Sequence, residues 1–418
     1  MRLGDYIEGM EPDEEAERRR LAEEKSYEIL DHLDVVEDRV ASAVSDDAVV
    51  GSTSPSIFVG RAAYPEVSTG ILAPVGAEDR ADEFATSGAW YARGLDIEDV
   101  LGYRTGLLDS RQSADVHVGD TWSGFLGTQR EVAIADRPVD VEIGLSETPE
   151  MDLSMDGVGT PTGPRARAES ARLGENPHVP RHVKKTLEDD DWRAQGAMTY
   201  LYRRGFDVYD IEDILSAGAL GRGENRRLVP TRWSITAVDD TIGGYLRGRI
   251  RNAREIDETR VWANEYMGNR YWVVLTPGQW EFELVEMKAP GSIWNQDPNG
   301  ETWMGSAHEG YAGRTGYVEE TSGAYYAARL GVLEHLAEID RQAKALVLRE
   351  VSDDYWAPVG VWQIRESVRN AFDGEFGVAE TFHGAVREIS RELPVSLPDL
   401  RRKSNMVSGL QAGLAEFT

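Results

Sequence analysis

The chain contains no cysteine, and only 6 of its 45 basic residues are lysine, which leaves 39 arginines. The absence of cysteine excludes disulfides, thiol nucleophiles, cysteine-ligated zinc and iron–sulfur clusters. No apolar run approaches the ~18 residues that a membrane-spanning helix needs, and the N-terminus lacks the apolar segment of a signal peptide. The sequence therefore predicts a cytoplasmic protein without a membrane partner.

Acidic residues outnumber basic ones by 74 to 45, so the formal net charge of the 418 residues is −29. Many carboxylates with scarce lysine are typical of a protein that works in concentrated salt, where carboxylates keep the surface hydrated and salt screens their repulsion. Hydrophobic residues make up 41% of the chain, which is enough for a core. The length predicts two or three domains at roughly 100–200 residues each.

The residue patterns predict an α+β protein with mixed sheet elements in the N-terminal two thirds, a mainly helical C-terminal third and a flexible C-terminal tail. Strand signals at Tyr271–Leu275 and Trp280–Val285 flank a turn at Pro277-Gly278. Helical signals cover Ser322–Leu348, Val361–Phe372 and Thr381–Leu393. The predicted segments are an acidic helical arm (1–48), an α+β domain with an arginine-rich segment (49–290), a mainly helical domain (291–400) and a tail (401–418).

A basic segment interrupts the acidic chain. Gly221 to Arg254 contains eight arginines and three acids, a local charge of +5. A helix over about 239–256 would place Arg247, Arg251 and Arg254 on one face, where guanidinium groups can bind a row of phosphates. Tyr245 and Trp262 flank the segment and could stack on unpaired bases. The predicted nucleic-acid-binding residues are Arg61, Arg226, Arg227, Arg232, Arg247, Arg251 and Arg254. The alternative is that these arginines neutralise neighbouring acids.

Carboxylates suggest a second hypothesis, a metal-dependent DNA nuclease. One pair of acids follows a strand-like apolar run, and two more acids with a nearby lysine lie on a later predicted strand. In such a site the carboxylates could hold Mg²⁺ or Mn²⁺ and the lysine could orient a water molecule. The candidate catalytic residues are Asp239, Asp240, Glu283, Glu286 and Lys288. The alternative is that Asp239 and Asp240 cap a helix while the glutamates are exposed. The nuclease requires these carboxylates to converge in one cleft.

A third hypothesis is an enzyme acting on a small phosphorylated ligand. Gly60-Arg61 could form an anion-binding nest, and Arg61, Tyr64 and Arg232 would then line a small, deep pocket. The seven histidines do not cluster at ligand spacing, and Pro180 separates His178 from His182. The sequence therefore predicts no metal-ligating histidine, and the Mg²⁺ or Mn²⁺ of the nuclease hypothesis is the one candidate cofactor.

The last eight residues fit the pattern of a sliding-clamp-binding (PIP) motif, Q-x-x-h-x-x-aromatic. One helical turn would bring Leu414 and Phe417 together as a hydrophobic plug, with Gln411 hydrogen-bonding beside it. Thr418 stands where a second aromatic residue is usual, which weakens the plug. The motif follows a basic stretch at 401–403, and it predicts the sliding clamp PCNA as a partner. The alternative is an amphipathic chain end without a partner.

Five long segments together resemble the archaeal Nre family of DNA repair proteins. They are SPSIFVGRAAYPEVSTGILAP (54–74), RRLVPTRWSITAVDDTIG (226–243), NRYWVVLTPGQWEFELVE (269–286), GRTGYVEETSGAYYAARLGVLEHL (313–336) and PVGVWQIRESVRNAF (358–372). The resemblance implies a role in DNA damage repair and PCNA binding through Gln411, Leu414 and Phe417. The acid-rich composition indicates a haloarchaeal member. Some relatives carry an N-terminal cysteine cluster that looks zinc-binding, and this chain cannot form one. The resemblance does not say whether the protein has a catalytic activity.

Overall fold

The computed structural model describes residues 48–74, 76–119, 122–149, 162–292, 294–295 and 300–409. These residues form two six-stranded sheets, a short two-stranded sheet and the helices around them. The α+β class predicted from the sequence is confirmed. The predicted helical arm, apart from Ala48, and the terminal motif at 411–418 lie outside the described residues.

The first sheet has the spatial order β1-β5-β6-β4-β3-β2. Its strands are β1 (Ala48–Ser52), β2 (Ile57–Val59), β3 (Glu66–Pro74), β4 (Leu107–Asp115), β5 (Asp140–Leu145) and β6 (Arg165–Leu173). β4 and β6 are parallel, and the other neighbours are antiparallel. Alternation explains β5, because Val141, Ile143 and Leu145 are buried while Asp140 is exposed.

Seven α-helices precede the second sheet within the described residues. They are α1 (Gly88–Ala92), α2 (Ile97–Thr105), α3 (Gly124–Ala133), α4 (Arg181–Glu188), α5 (Ala194–Tyr202), α6 (Val208–Ser216) and α7 (Thr231–Ile250). The side chains of Phe125 and Val132 on α3 share a core with the first sheet. No helix in the described ranges has the length and apolarity needed to cross a bilayer.

The second sheet has the order β11-β10-β13-β9-β8-β14. Its strands are β8 (Thr259–Tyr266), β9 (Asn269–Thr276), β10 (Glu281–Lys288), β11 (Trp303–Glu309), β13 (Lys344–Val351) and β14 (Gly377–Ala379). β10 and β13 are parallel, and the other neighbours are antiparallel. The two strands predicted at 271–275 and 280–285 correspond to β9 and β10. A short parallel pair, β7 (Arg254–Glu255) with β12 (Arg341–Gln342), lies outside this sheet.

Helices cover both faces of the second sheet. Val273 and Phe282 share a core with α7, α8 (Ser322–Glu338) and α9 (Trp362–Ala371). Side chains that point the other way from the same strands, such as Val274 and Val285, share a different core with α10 (Phe382–Ile389), α11 (Leu397–Lys403) and α12 (Asn405–Ser408). Because successive strand side chains point to opposite faces, α7 and α12 lie on opposite sides of this sheet.

The C-terminal third contains more strand than the sequence predicts. The expected helix over 322–348 is wrong beyond Glu338, because residues 344–351 form β13. A short apolar run fits a buried strand as well as a helix. Pairing with β9 on one edge and β10 on the other decides for the strand.

The second sheet also crosses the domain boundary predicted at 290/291. β10 precedes that boundary, and its two partners β11 and β13 follow it. Similarly, the tail predicted from residue 401 begins within α11, and Met406 and Val407 of α12 are buried in the core. Within the described residues, the chain therefore stays packed against the second sheet as far as α12.

Candidate nucleic-acid interface

Helix α7 has a buried face and an exposed face. Val238, Ile242 and Leu246 are buried in the core. Trp233 and Asp240 are exposed and Arg247 is partly exposed; the three are spaced by seven residues and therefore lie along one stripe of the helix. At 1.5 Å per residue, the 20 residues of α7 span about 30 Å. The arginine-rich segment thus presents an elongated surface.

The loop between β2 and β3 is held against the beginning of α7. The backbone N–H of Val59 donates to the Thr231 hydroxyl at 2.9 Å, and Gly60 N–H donates to the Ser68 carbonyl at 2.7 Å. These bonds place the loop beside the first turn of the helix. The rings of Tyr64 and Trp233 meet there with centroids 5.1 Å apart.

The segment after β4 connects the β2–β3 loop to the chain before α7 through the backbone of Val116. Val116 N–H donates to the Pro65 carbonyl at 3.0 Å, and its own carbonyl accepts from Leu228 N–H at 2.9 Å. Arg227 precedes Leu228 and is exposed. Contacts between distant segments therefore assemble a group that we call the N-terminal cluster: Arg61, Tyr64, Arg227, Arg232 and Trp233.

Two arginines of the N-terminal cluster, Arg61 and Arg232, have no carboxylate partner within the described residues. All three arginines of the cluster are exposed, and none has a described carboxylate oxygen within 4.0 Å, but the charge of Arg227 acts on Asp115 and helps to lower the pKa of that carboxyl. In a chain of net charge −29, free arginines are the ones that neutralisation of the acidic surface does not explain. They present unpaired positive charge and forked donors to an external anion.

A second group lies at the other end of α7, and we call it the C-terminal cluster: Arg247, Arg251, Arg254 and Tyr311. The Arg247 guanidinium lies 3.9 Å from the Glu309 carboxylate. Arg251 donates to the Tyr311 hydroxyl at 3.2 Å and lies 4.9 Å above the ring. Arg254 is exposed in β7. These arginines face solvent, but two of them already have partners.

Arg226 does not belong to either cluster, which corrects the sequence prediction. Its side chain is 2% exposed and donates to the backbone carbonyls of Gly221 at 3.1 Å and Leu187 at 2.7 Å. It also lies 3.6 Å from the Asp190 carboxylate. Burial leaves Arg226 unavailable to a phosphate, and its role is to hold the loop before α7.

The flanking aromatic residues also differ from expectation. Trp262 is buried and packs against Phe372 with ring centroids 5.0 Å apart. Tyr245 is half-buried beside Tyr202. The exposed aromatic ring beside the arginines is instead Trp233. Its position directly after Arg232 is the one feature of the sequence that indicates it.

The two adjacent aspartates of α7 lie in different environments. Asp239 is buried and accepts three hydrogen bonds from Arg365, at 2.8, 2.9 and 3.1 Å. Burial raises the pKa of Asp239, and the charge of Arg365 opposes that rise. Asp240 is 61% exposed and pairs with Arg329 at 3.1 Å. Asp239 therefore belongs to a buried ion pair in the core, while Asp240 lies on the exposed face of α7.

The acids of β10 are engaged on opposite faces of the second sheet. Glu283 is buried and accepts from the Ser404 hydroxyl at 2.6 Å and from the backbone N–H groups of Asn405 and Met406, both at 2.8 Å. Burial raises the pKa of Glu283, and these hydrogen bonds oppose the rise. Glu283 thus anchors the beginning of α12.

On the other face of β10, the buried Glu286 pairs with the buried Arg349. The Lys288 ammonium lies 4.1 Å from the ring centroid of Trp303 and 5.7 Å from that of Trp294. Burial lowers the pKa of Lys288, and the charge of Glu286 acts against this effect. The glutamate and the lysine therefore have local structural partners.

The five residues of the nuclease hypothesis are consequently not brought together. Asp239 and Asp240 point to different faces of α7, and Glu283 and Glu286 point to different faces of β10. Among the described residues, no group of three or more histidine or acidic side chains could hold a metal ion. The described geometry does not provide the carboxylate cleft that the hypothesis requires.

The small-ligand hypothesis meets a similar difficulty. Arg61, Tyr64 and Arg232 do come to one place, but all three are exposed. A small, deep pocket would bury the side chains that line it. The arrangement is an open surface, which suits a long polyanion better than a small molecule.

Two family models match the chain. The model of the Archaeal Nre N-terminal region matches residues 21–295, and the model of the Archaeal Nre C-terminal region matches residues 309–417. The chain is 64% identical over 420 residues to the DNA repair protein NreA of Haloferax volcanii, with 100% of both chains covered.

More distant relatives come from Archaeoglobus fulgidus. The chain is 38% identical over 348 residues to its DNA repair protein NreA, with 83% of this chain and 86% of the relative covered. It is 35% identical over 370 residues to its DNA repair protein NreB, with 88% and 92% covered. No solved structure matches the chain.

Proposed function

Because the chain belongs to the archaeal Nre family, we propose that it is a DNA repair protein that binds DNA along the exposed face of α7 and is recruited by PCNA. The observation that carries the DNA-binding part is the pair of arginine–aromatic clusters at the two ends of one 20-residue helix. The names of the relatives support the repair role. The predicted cytoplasmic location fits this role.

The dimensions of the surface fit a nucleic-acid backbone. Successive phosphates of a DNA strand are only a few ångströms apart, so the ~30 Å of α7 is long enough to contact several of them. Between the clusters, the carboxylate of Asp240 is paired with Arg329, which reduces repulsion of the phosphates. The positive charge is local, because the chain as a whole would repel DNA.

PCNA recruitment is assigned to Gln411, Leu414 and Phe417. Support comes from their spacing and from the anchoring of α12, since Glu283 fixes the chain at Ser404 and the motif begins two residues after Gly409. A short hydrophobic plug that follows an anchored helix is well suited to docking in a groove on a partner.

The DNA-binding proposal is tested with a variant that combines Arg61→Ala, Arg232→Ala, Arg247→Ala and Arg251→Ala. We expect weaker DNA binding and a shallower dependence of log affinity on log salt, by about 0.7–0.9 for each phosphate contact removed. Arg391→Ala is the matched control, because Arg391 is exposed and pairs only with the nearby Glu388 among the described residues. An unchanged salt slope in the combined variant would contradict the proposal.

The recruitment proposal is tested with Leu414→Ala combined with Phe417→Ala. We expect the loss of binding to purified PCNA in titration calorimetry, with the thermal unfolding midpoint and DNA affinity unchanged. Glu416→Ala, within the same motif but outside its hydrophobic plug, serves as the control and is expected to keep binding. PCNA affinity that survives the double substitution would refute the assignment of the motif.

A further inference from the structure

Tyr64 and Trp233 form an unusual pair on the surface of this protein. Their side chains are 45% and 43% exposed, and their ring centroids lie 5.1 Å apart. In the other aromatic contacts among the described residues, at least one ring is buried or half-buried. Two solvent-facing rings in contact leave apolar surface in water that the fold itself does not use.

The pair is held in place by the backbone rather than by its polar atoms. Tyr64 N–H donates to the Arg61 carbonyl at 3.3 Å, and Trp233 N–H donates to the Pro230 carbonyl at 2.7 Å. Within the described residues, neither the Tyr64 hydroxyl nor the Trp233 indole N–H has a hydrogen-bond partner. The backbone of both residues is therefore fixed and the two rings rest on each other, while their exposed surfaces and polar edges remain available to a ligand.

Free cations accompany the rings. Arg61 is in the same turn as Tyr64, and Arg232 adjoins Trp233, so each ring has an arginine without a described carboxylate partner next to it. A ring that stacks on a base, next to a cation that binds a phosphate, is the combination by which proteins bind single strands. In an intact duplex the base faces are covered by neighbouring base pairs, so the rings would have no face to stack on.

We propose that Tyr64 and Trp233 stack on unpaired bases, so that the DNA bound at the N-terminal cluster is single-stranded or gapped rather than intact duplex. This inference rests on the proposed DNA binding and specifies its substrate class. The composition adds an independent reason. In the concentrated salt that the acidic composition indicates, phosphate contacts lose most of their contribution because counterion release is no longer favourable. Stacking does not depend on counterion release and remains available.

The experiment compares Tyr64→Leu combined with Trp233→Leu against the wild-type chain. Binding to a 12-nucleotide single strand, a 12-base-pair blunt duplex and a duplex with a central gap is measured by anisotropy over a range of salt concentrations. We expect the double variant to lose about 5- to 150-fold in affinity for the single strand and the gapped duplex, since stacking on one base contributes about 1–3 kcal/mol. The salt slope should stay unchanged.

Two controls separate stacking from charge and from folding. Phe376→Leu removes an equally exposed ring elsewhere and should change no affinity. Arg61→Ala combined with Arg232→Ala should flatten the salt slope, which the ring substitutions should not do. Indole fluorescence of the wild-type chain should be quenched by the single strand, and Trp233→Leu should remove most of that quenching.

The outcomes distinguish this inference from the proposed function. Wild-type protein that binds no DNA in any form overturns the proposed function, and the inference with it. Wild-type protein that binds the blunt duplex as tightly as the single strand, or a ring variant that loses both equally, overturns the inference alone. Tighter binding to single-stranded RNA of the same sequence would overturn the assignment to DNA.

Discussion

The two ends of α7 carry the same residue types but in different states. At the N-terminal cluster, Arg61 and Arg232 have no described carboxylate partner, and the rings beside them are exposed. At the C-terminal cluster, Arg247 lies near Glu309 and Arg251 rests on Tyr311. An arginine that is already engaged must exchange one partner for another when it binds a phosphate, so the free end should contribute more to affinity.

The largest expected effect comes from weakening the buried ion pair between Asp239 and Arg365, which lies beneath the middle of α7 and so supports both clusters. Asp239→Asn removes one of the two carboxylates that neutralise the buried Arg365 beneath the middle of α7. Because Glu212 still pairs with Arg365 at 2.7 Å, we expect a loss of about 2–3 kcal/mol in the free energy of unfolding. Urea unfolding measures this loss. A stability change below about 1 kcal/mol would show that α7 does not depend on this ion pair and that the two ends can be supported separately.

The next effect separates the two ends directly. Arg61→Ala combined with Arg232→Ala should weaken binding to single-stranded DNA about 30-fold, which corresponds to about 2 kcal/mol. Arg247→Ala combined with Arg251→Ala should weaken it about 3-fold, because those side chains already have Glu309 and Tyr311. Equal losses for the two double variants would remove the distinction between free and engaged arginines.

A smaller effect should follow from Gly313→Ala, which probes how the C-terminal cluster is held. Gly313 has φ +79°, and a Cβ built there would lie 1.3 Å from a terminal nitrogen of Arg247. We expect a stability loss of about 1 kcal/mol from the left-handed backbone conformation, together with a displaced Arg247 side chain. An unchanged unfolding midpoint in a thermal melt would contradict this expectation.

The smallest effect should come from Asp240→Asn on the exposed stripe between the clusters. Asp240 is largely exposed and its partner Arg329 keeps Glu309 at 2.8 Å, so stability should change by less than about 1 kcal/mol. DNA affinity should rise slightly, because a negative charge leaves the path of the phosphates. A marked loss of affinity in the salt titration would show that Asp240 has a positive role in binding.

Elements with a strong residue pattern are predicted correctly from the sequence, whereas elements whose type depends on tertiary contacts are not. The predicted strands at 271–275 and 280–285 match β9 and β10, because aromatic and β-branched residues flank an evident turn. The first half of α7 was missed, since Ile235, Thr236 and Val238 read as a strand. The contacts of α7 with α6 and α8 override that weak preference.

The candidate site was predictable in part. A positive segment in an acidic chain identified α7, and a Gly-Arg-x-x-Tyr loop drew attention to Arg61 and Tyr64. Their meeting with Trp233 depends on hydrogen bonds between segments about 170 residues apart, such as that from Val59 to Thr231. Likewise, only the structure shows that Arg226 is buried and that Glu283 binds the backbone of α12.

The bond between Glu283 and α12 sets the geometry of any complex formed through the end of the chain. α12 rests on one side of the second sheet and α7 lies on the other, while Gln411 is only two residue steps, at most about 7 Å, beyond Gly409. A ring-shaped partner held by the terminal motif would thus approach the back of the molecule. Under the proposed function, the ring and the DNA would then bind on opposite sides of the second sheet, so that neither would block the other.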